Sequence, residues 1–337
     1  MHADKKPIAV LGAGSWGTAL AISLSRVGKP TLLWGRDAAQ MSTLESVRCN
    51  IRYLPDVSFP DPLQVSGDLQ EVVSSAGDII VSVPSHGFRA LLEIIKPMLS
   101  ETQRIAWATK GFEAGSGKLL HQVAEDIFGK NRSFAVISGP TFAKEVARGL
   151  PTAVTVASTD SKFADYLSER LHTDTFRIYT SDDIIGVEVG GAVKNVLAIA
   201  AGISDGLKFG ANARAALITR ALAEIMRLGA ELGAKPETIM GLTGLGDLIL
   251  TCTDNQSRNR RLGLALGEGE LLEDALSAIN QVVEGVQTAR EVNELAISRG
   301  VDMPIIHHVY QILYEGMKPR DAVHELLARE QKPESLE

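Results

Sequence analysis

Lys194 stands in Val187-Glu-Val-Gly-Gly-Ala-Val-Lys194-Asn195-Val-Leu-Ala-Ile-Ala-Ala, where its neighbours are small or apolar on nearly every side. Loss of water disfavours an ammonium ion. A lysine kept in such a stretch is therefore partnered, snorkelling to solvent, or held for proton transfer with a lowered pKa. Against a carbonyl group it would donate a proton as hydride arrives and recover it in the reverse direction. Asn195 beside it has the donor and acceptor needed to orient a hydroxyl or a water. A second cluster runs Leu245-Gly246-Asp247-Leu-Ile-Leu-Thr251-Cys-Thr-Asp-Asn-Gln-Ser257-Arg258-Asn259-Arg260-Arg261. Its three arginines, with Ser and Asn interleaved, supply forked and neutral donors suited to a phosphate monoester. Asp247 at its head could hold a lysine or a substrate hydroxyl. Without context the same residues also read as a solvated basic helix start.

Near the other end the chain reads Ile8-Ala-Val-Leu-Gly12-Ala-Gly14-Ser15-Trp16-Gly17, followed by the apolar helical run Thr18-Ala-Leu-Ala-Ile-Ser-Leu. A strand that delivers G-x-G-x-x-G onto a helix start makes an anion site. Gly12 allows the tight turn, Gly14 lets a pyrophosphate approach, and Gly17 lets helix and strand pack closely. The bland alternative is a glycine-rich turn that binds nothing. The next strand ends Leu32-Leu33-Trp34-Gly35-Arg36-Asp37, where this arrangement reads the adenosine ribose. An acid there would favour NAD. Arg36 instead offers a cation for a 2′-phosphate, so NADP is expected to be accepted and preferred, with NAD as the second cofactor. The competing reading leaves Arg36 in water and gives the ribose to Asp37.

Other candidates sit at strand ends. Lys110 follows Arg104-Ile-Ala-Trp-Ala-Thr109 and would place a cation at the ligand edge of a sheet. Ser138-Gly139-Pro140-Thr141-Phe142-Ala143 is a second strand-to-helix turn, with Pro and Thr suited to opening a helix. His86, after Val81-Ser-Val-Pro84-Ser85, could serve as an acid, but a role in starting a helix is the better reading. His307 and His308 lack a carboxylate or serine constellation and read as structural. Gly241-Leu-Thr-Gly-Leu-Gly246 resembles a nucleotide loop only superficially, since no strand precedes it.

These residues need a scaffold, and the patterning supplies one. Strand-like runs fall at 7–11, 31–34, 78–83, 104–109, 133–138, 151–157 and 175–180, with amphipathic stretches between most of them. Near-continuous apolar strands alternating with helices predict an α/β fold with a Rossmann-type, doubly wound parallel sheet. From about residue 182 the segments 182–204, 211–232, 284–299, 303–314 and 318–329 read as helices with no convincing strand between them. The expected organisation is a dinucleotide-binding domain over 1–185, an all-helical substrate and catalytic domain over 186–330, and a frayed tail over 331–337.

The 337 residues carry 34 Lys+Arg against 41 Asp+Glu, a net charge of −7, which argues against general binding to nucleic acid or anionic membranes. An anionic substrate would then need a local cluster of positive charge. Only Cys49 and Cys252 are present, without metal-ligand spacing; neither a disulfide framework nor a metal site is expected, and a reducing cytoplasm fits. The polar start runs directly into the first strand, so no signal peptide is expected. Lys194 and Asn195 interrupt the apolar stretch Ala192–Ile203, so no membrane span is expected there.

Taken together, the motifs resemble the bacterial form of NAD(P)-dependent glycerol-3-phosphate dehydrogenases. They are Gly12-Ala-Gly14-Ser15-Trp16-Gly17, Val83-Pro-Ser-His86, Lys110-Gly111, Gly139-Pro-Thr-Phe-Ala143-Lys-Glu-Val, Val189-Gly-Gly-Ala-Val-Lys194-Asn195, Gly244-Leu-Gly-Asp247-Leu through Ser257-Arg258-Asn259-Arg260, and Val282-Val283-Glu284-Gly285. They follow the family's order across nearly the whole chain. The resemblance implies reduction of dihydroxyacetone phosphate to sn-glycerol 3-phosphate, feeding glycerophospholipid synthesis. It implies cofactor contacts from Ser15, Trp16, Arg36, Lys110, Ala143, Arg258, Val282 and Glu284. Substrate contacts would come from Lys110, Gly139, Thr141, Lys194, Asp247, Ser257, Arg258 and Asn259. Lys194 matches the proton donor and acceptor, Asn195 and Thr251 its supporting polar residues. A lysine in that role makes a metal unnecessary. Oligomeric state is left open, a homodimer included. Two other readings stay in view: a related hydroxy-acid dehydrogenase, and a non-catalytic NADP-binding redox sensor.

Overall fold

The computed structural model describes residues 6–330, so the expected frayed tail at 331–337 lies outside the described residues. The chain divides into two compact units. One comprises the residues up to Glu113 together with Lys118–Val187; the other comprises Ala114–Gly117 and the chain from Glu188 onward.

In the first unit the strands are β1 (Ile8–Leu11), β2 (Thr31–Trp34), β3 (Cys49–Asn50), β4 (Leu54–Ser58), β5 (Leu63–Ser66), β6 (Asp78–Val81), β7 (Arg104–Trp107), β8 (Phe134–Ser138), β9 (Thr152–Ser158) and β10 (Phe176–Ser181). The helices are α1 (Ser15–Arg26), α2 (Ala38–Val47), α3 (Leu69–Ser75), α4 (Phe88–Ile95), α5 (Leu120–Phe128), α6 (Ala143–Arg148) and α7 (Ser161–Leu171). Eight strands form one sheet in the order β10-β9-β8-β7-β6-β1-β2-β5, and β3 pairs with β4 in a separate hairpin. The strands are apolar at successive positions because both faces are covered. Ile8 and Val10 enter one core with Ile80, Ala106 and Ile137, beneath α1, α2, α6 and α7. Ala9 and Leu11 enter the other with Ile79, Val81, Ile105 and Trp107, beneath α3, α4 and α5.

The doubly wound sheet follows the expectation, with one difference in strand direction. Every pairing is parallel except β8 with β9, which is antiparallel, so β9 and β10 run against the rest. Between β8 and β9 the only helix is α6, of six residues. At 1.5 Å per residue it rises about 9 Å, short of the roughly 17 Å that would return the chain along a five-residue strand. β3, β4 and β5 fall outside the strand-like runs of the sequence. The last is an edge strand set among Phe59-Pro60-Asp61-Pro62, where proline masks a strand signal.

Because β1, β2, β6, β7 and β8 are mutually parallel, their carboxyl ends lie along one edge of the sheet. That edge carries the Gly12 turn, Gly35-Arg36, Ser82, Lys110 and Gly139. At the turn, a Cβ on Gly12 would lie 2.3 Å from Ser82 O, and one on Gly17 would lie 2.0 Å from Gly12 O. No side chain fits at either position.

The second unit is helical, with no strand among its described residues. Its helices are α8 (Ile184–Gly206), which begins just before the unit boundary, α9 (Gly210–Leu232), α10 (Pro236–Ile239), α11 (Asp247–Thr253), α12 (Arg258–Glu268), α13 (Leu272–Ile279), α14 (Glu284–Arg299), α15 (Pro304–Tyr314) and α16 (Pro319–Ala328). A π-helical turn, Leu242–Gly246, precedes α11. The five expected helices are present; α11, α12 and α13 lay hidden in the glycine- and charge-rich stretch. α8 is long and apolar enough to cross a membrane, but 94% of its apolar window is buried inside the protein. It is a core helix.

One buried acid shows how the helices are locked together. Glu224 on α9 is 1% exposed, and its carboxylate accepts the backbone N–H groups of Ile305 (2.7 Å) and Ile306 (3.2 Å). It thereby caps α15, which opens with Pro304 and has no side-chain cap of its own. Burial pushes the Glu224 carboxyl up to about 7 against its ordinary 4.5, although the two N–H donors oppose the shift. A carboxyl raised in the folded state binds its proton more tightly there than in the unfolded chain. Its contribution to stability is full below pH 4.5 and is lost as pH rises towards 7. In calorimetry, E224Q is expected to flatten that part of the Tm against pH curve. An unchanged slope would remove Glu224 from the titration.

Candidate active site

In the second unit Lys194 projects from α8 and is 7% exposed. Its Nζ donates to Asp247 Oδ1 at 2.6 Å and to Thr251 Oγ1 at 3.0 Å. Asp247 and Thr251 lie four residues apart, on one face of α11. The Thr251 hydroxyl donates to the Asp247 carbonyl at 2.6 Å, so its oxygen meets Lys194 as an acceptor. Asp247 has no exposed surface. An ammonium ion is thus kept in a dry setting by one carboxylate and one hydroxyl. Removing one member of such a buried pair costs about 3–5 kcal/mol.

The π-helical turn explains how Asp247 reaches the lysine. A Cβ on Gly190, one turn before Lys194, would lie 2.9 Å from Thr243 O, and one on Gly244 would lie 1.9 Å from Ile239 O. The Gly241–Gly246 stretch is therefore a packing element against α8, in keeping with its rejection as a nucleotide loop. Cys252, beside Thr251, is fully buried, and burial pushes its thiol up to about 12, so it stays protonated and inert.

A second network joins α8, α12 and α14. Gly285 N donates to Asn259 Oδ1 (2.9 Å), Asn259 Nδ2 donates to Asn195 Oδ1 (3.0 Å), and Asn195 Nδ2 donates to Glu284 Oε2 (3.3 Å). A backbone donor at one end and a carboxylate at the other fix both amide orientations. Asn195 here braces helices, a different immediate task from the expected one of orienting a hydroxyl. Gly285 is not among the expected site residues. A Cβ there would lie 2.6 Å from Asn259 Oδ1 and 2.7 Å from Asn195 O, so only glycine permits this junction.

Ser257 is the N-cap of α12, accepting from Arg260 N at 3.2 Å. The first turn of α12 holds Arg258, Arg260 and Arg261 and no acid. Cations at the positive end of a helix are unfavourable by about 0.3–1 kcal/mol each, whereas a bound anion reverses the sign. Arg258 Nη1 donates to Val282 O (2.8 Å), which ties Arg258 to the segment that leads into Glu284 and α14. The sequence-predicted Lys194, Asn195, Asp247, Thr251, Ser257, Arg258, Asn259, Val282 and Glu284 are accordingly gathered within the second unit.

The remaining predicted residues lie in the first unit. Ser15, Trp16 and Gly17 open α1, whose N-cap, Gly14, has no side-chain cap. A Cβ on Gly14 would meet nothing within 4 Å, and its φ of −74° suits any residue. Packing within the protein does not require glycine there, and the helix start is left open to an approaching group. The turn therefore fits a dinucleotide pyrophosphate. Arg36 is exposed at the end of β2, while the Asp37 carboxylate is engaged as the N-cap of α2, accepting from Gln40 N at 3.0 Å. Lys110 Nζ and Thr141 Oγ1 both donate to Gly139 O, at 3.3 and 3.2 Å. Ala143 is the first residue of α6, with Phe142 as N-cap. Thr141 is spent on the turn and does not cap that helix, contrary to the capping expectation. His86 is exposed in a short 3-10 turn before α4; His307 bonds Asn293 and His308 bonds Pro304 O within the helical unit, and His308 Nε2 also lies 3.3 Å from Glu325 Oε2, a carboxylate partner that the sequence does not predict.

Comparison with known proteins bears on the same two regions. Residues 7–164 match the family model for the NAD-dependent glycerol-3-phosphate dehydrogenase N-terminus, and residues 183–324 match that for its C-terminus. The chain is 58% identical over 333 residues to the glycerol-3-phosphate dehydrogenase [NAD(P)+] of Aeromonas salmonicida, covering 98% of this chain and all of that one. It is 58% identical over 331 residues to the enzyme of the same name from Thioalkalivibrio sulfidiphilus, covering 98% and 99%. The crystal structure of glycerol-3-phosphate dehydrogenase from Coxiella burnetii superposes with a TM-score of 0.94 at 51% identity, covering 96% of this chain and 99% of that one. This chain belongs to the NAD-dependent glycerol-3-phosphate dehydrogenase family.

Proposed function

We propose that the protein reduces dihydroxyacetone phosphate to sn-glycerol 3-phosphate, reversibly, with NADPH preferred and NADH accepted. The observation that carries this reading is the buried Lys194–Asp247–Thr251 cluster in the same unit as the arginine-rich start of α12. NAD(P)H, when bound, supplies the hydride.

Arg258 and Asn259 hold the substrate phosphate, with Ser257 adding a hydroxyl donor, at a helix end whose dipole and cations both favour an anion. Lys194 Nζ donates a proton to the alkoxide oxygen that develops on the reduced carbon, and its charge stabilises that oxygen beforehand. Asp247 and Thr251 fix the direction of Nζ, and the carboxylate favours return of the proton to the amine afterwards. Asn195 keeps Asn259 in place from below. In the first unit Gly12, Gly14, Ser15, Trp16, Gly17 and Ala143 serve the cofactor, Arg36 its 2′-phosphate. Lys110, Gly139 and Thr141 carry the substrate contacts proposed for that unit, and Val282 and Glu284 add cofactor contacts from the second. Phosphate-bearing product of this kind suits a cytoplasmic supply to phospholipid synthesis.

Steady-state assays should show NADPH oxidation with dihydroxyacetone phosphate and not with dihydroxyacetone; equal rates with both would defeat the phosphate assignment. K194A should lose about 10²–10⁴-fold in turnover while cofactor affinity is kept. Because it strands a buried carboxylate, its folded fraction is measured alongside by circular dichroism. Turnover within a few-fold of the parent, or loss of NADPH binding, would exclude Lys194 as the proton donor. R36D should raise the KM for NADPH far more than that for NADH, and an unchanged ratio would separate Arg36 from the 2′-phosphate. G14A should leave the Tm unaltered yet weaken NADPH binding by about tenfold or more, equivalent to at least ~1.4 kcal/mol. A normal Kd in titration calorimetry would show that the ligand does not approach Gly14.

A further inference from the structure

Arg260 and Asp205 have no part in the reaction as described, yet both are nearly withdrawn from water, with side chains 9% and 10% exposed. Asp205 lies in the last turn of α8, the helix that carries Lys194 and Asn195. Its Oδ2 is 2.7 Å from Arg260 Nη1 on α12, and both its oxygens accept from Arg214 Nη1 on α9, at 3.0 and 2.9 Å. Arg260 Nε and Nη1 are buried without a well-formed hydrogen bond. The ion pair with Asp205 is therefore what compensates this guanidinium.

The packing beneath explains why such a clamp is needed. α8 and α12 meet through two glycine pairs, Gly202/Gly206 and Gly263/Gly267. A Cβ on Gly202 would lie 2.1 Å from Arg260 O, on Gly263 2.0 Å from Ile199 O, and on Gly267 2.5 Å from Ile203 O. Backbone meets backbone, so closeness is enforced, but few side-chain knobs interdigitate to fix one helix along the other. Polar contacts must then set the register. Adjacent residues at the start of α12 reach to points ten residues apart on α8: Asn259 to Asn195, and Arg260 to Asp205. Those points are separated by about 15 Å along the helix.

We propose that Asp205 is a positioning residue which, through Arg260, holds the first turn of α12 in register with Lys194 and so places Arg258 and Asn259 for the substrate phosphate. This rests on the proposed reduction of dihydroxyacetone phosphate. The stay also offsets one of three like charges crowded at the helix start.

The test is steady-state kinetics on D205N, D205E and R260M, with K208Q as control. R260M leaves Asp205 paired with Arg214, so it serves if D205N fails to fold. Lys208 pairs with Glu268 at the far end of α12, is 73% exposed, and should not matter. D205N and R260M should raise the KM for dihydroxyacetone phosphate about tenfold, with kcat changed less than about threefold and the KM for NADPH unchanged. Inhibition by inorganic phosphate should weaken in parallel. D205E should restore most of the affinity, and K208Q should match the parent. An unaltered KM in folded D205N or R260M overturns the proposal. So does a fall in kcat alone, which is the mark of general damage. If the parent protein itself fails to turn over dihydroxyacetone phosphate, the functional reading fails first; if the parent is active and the variants keep its KM, only the positioning role fails.

Discussion

An ammonium and a carboxylate, both taken out of water, hold each other 2.6 Å apart between α8 and α11. Neither could stand alone there: an unpaired buried ion costs several kcal/mol, so each side chain is tolerated because the other is present. This mutual dependence constrains the helical unit. α11 must present Asp247 and Thr251 on one face, the π-helical turn must set its angle, and glycines at 190 and 244 must let the segments approach. A π-turn at the entry to a site is a common place for such irregularity, because one extra residue re-aims the side chains that follow.

Around that pair, the unit uses neutral amides and glycines where a more ordinary core would use leucine. The chain from Gly285 N through Asn259 and Asn195 to Glu284 joins three helices and leaves each amide a single orientation. Satisfied polar networks of this kind stiffen a site at little cost, provided that no member lacks its partner. The glycine seam between α8 and α12 works in the same direction, bringing the lysine-bearing helix close to the arginine-bearing one. The first unit meets a different constraint with the same residue type. Gly12 and Gly17 are dictated by the protein's own packing, whereas Gly14 faces open space. That contrast separates the glycines that the fold itself requires from one that it does not.

Much of this was legible in advance. The seven strand-like runs, the glycine turn and the five long helices carry strong periodicity or apolar continuity, and each is present. Strands β3, β4 and β5 were missed because they are short, peripheral and set among prolines or polar residues, so their pairing comes from neighbours and not from local pattern. The same applies to α11, α12 and α13, whose local composition resembles a loop. Direction within the sheet was also hidden: β8 and β9 have the same apolar look whether parallel or antiparallel, and the shortness of α6 decided between them.

By itself, the sequence determined the classes of residue available: a lysine among apolar neighbours, an acid, three arginines beside Ser and Asn, and a turn that only glycine can make. It also determined where Arg36 and Asp37 stand at the end of β2. Only the tertiary structure decided which of these groups meet. It gave Lys194 to Asp247 and Thr251, Asn195 to Asn259 and Glu284, and Arg260 to Asp205. It also committed Asp37 to capping α2. The physical reason is that periodicity records whether a side chain faces water or a core, while the identity of its partner depends on distances between helices far apart in the chain.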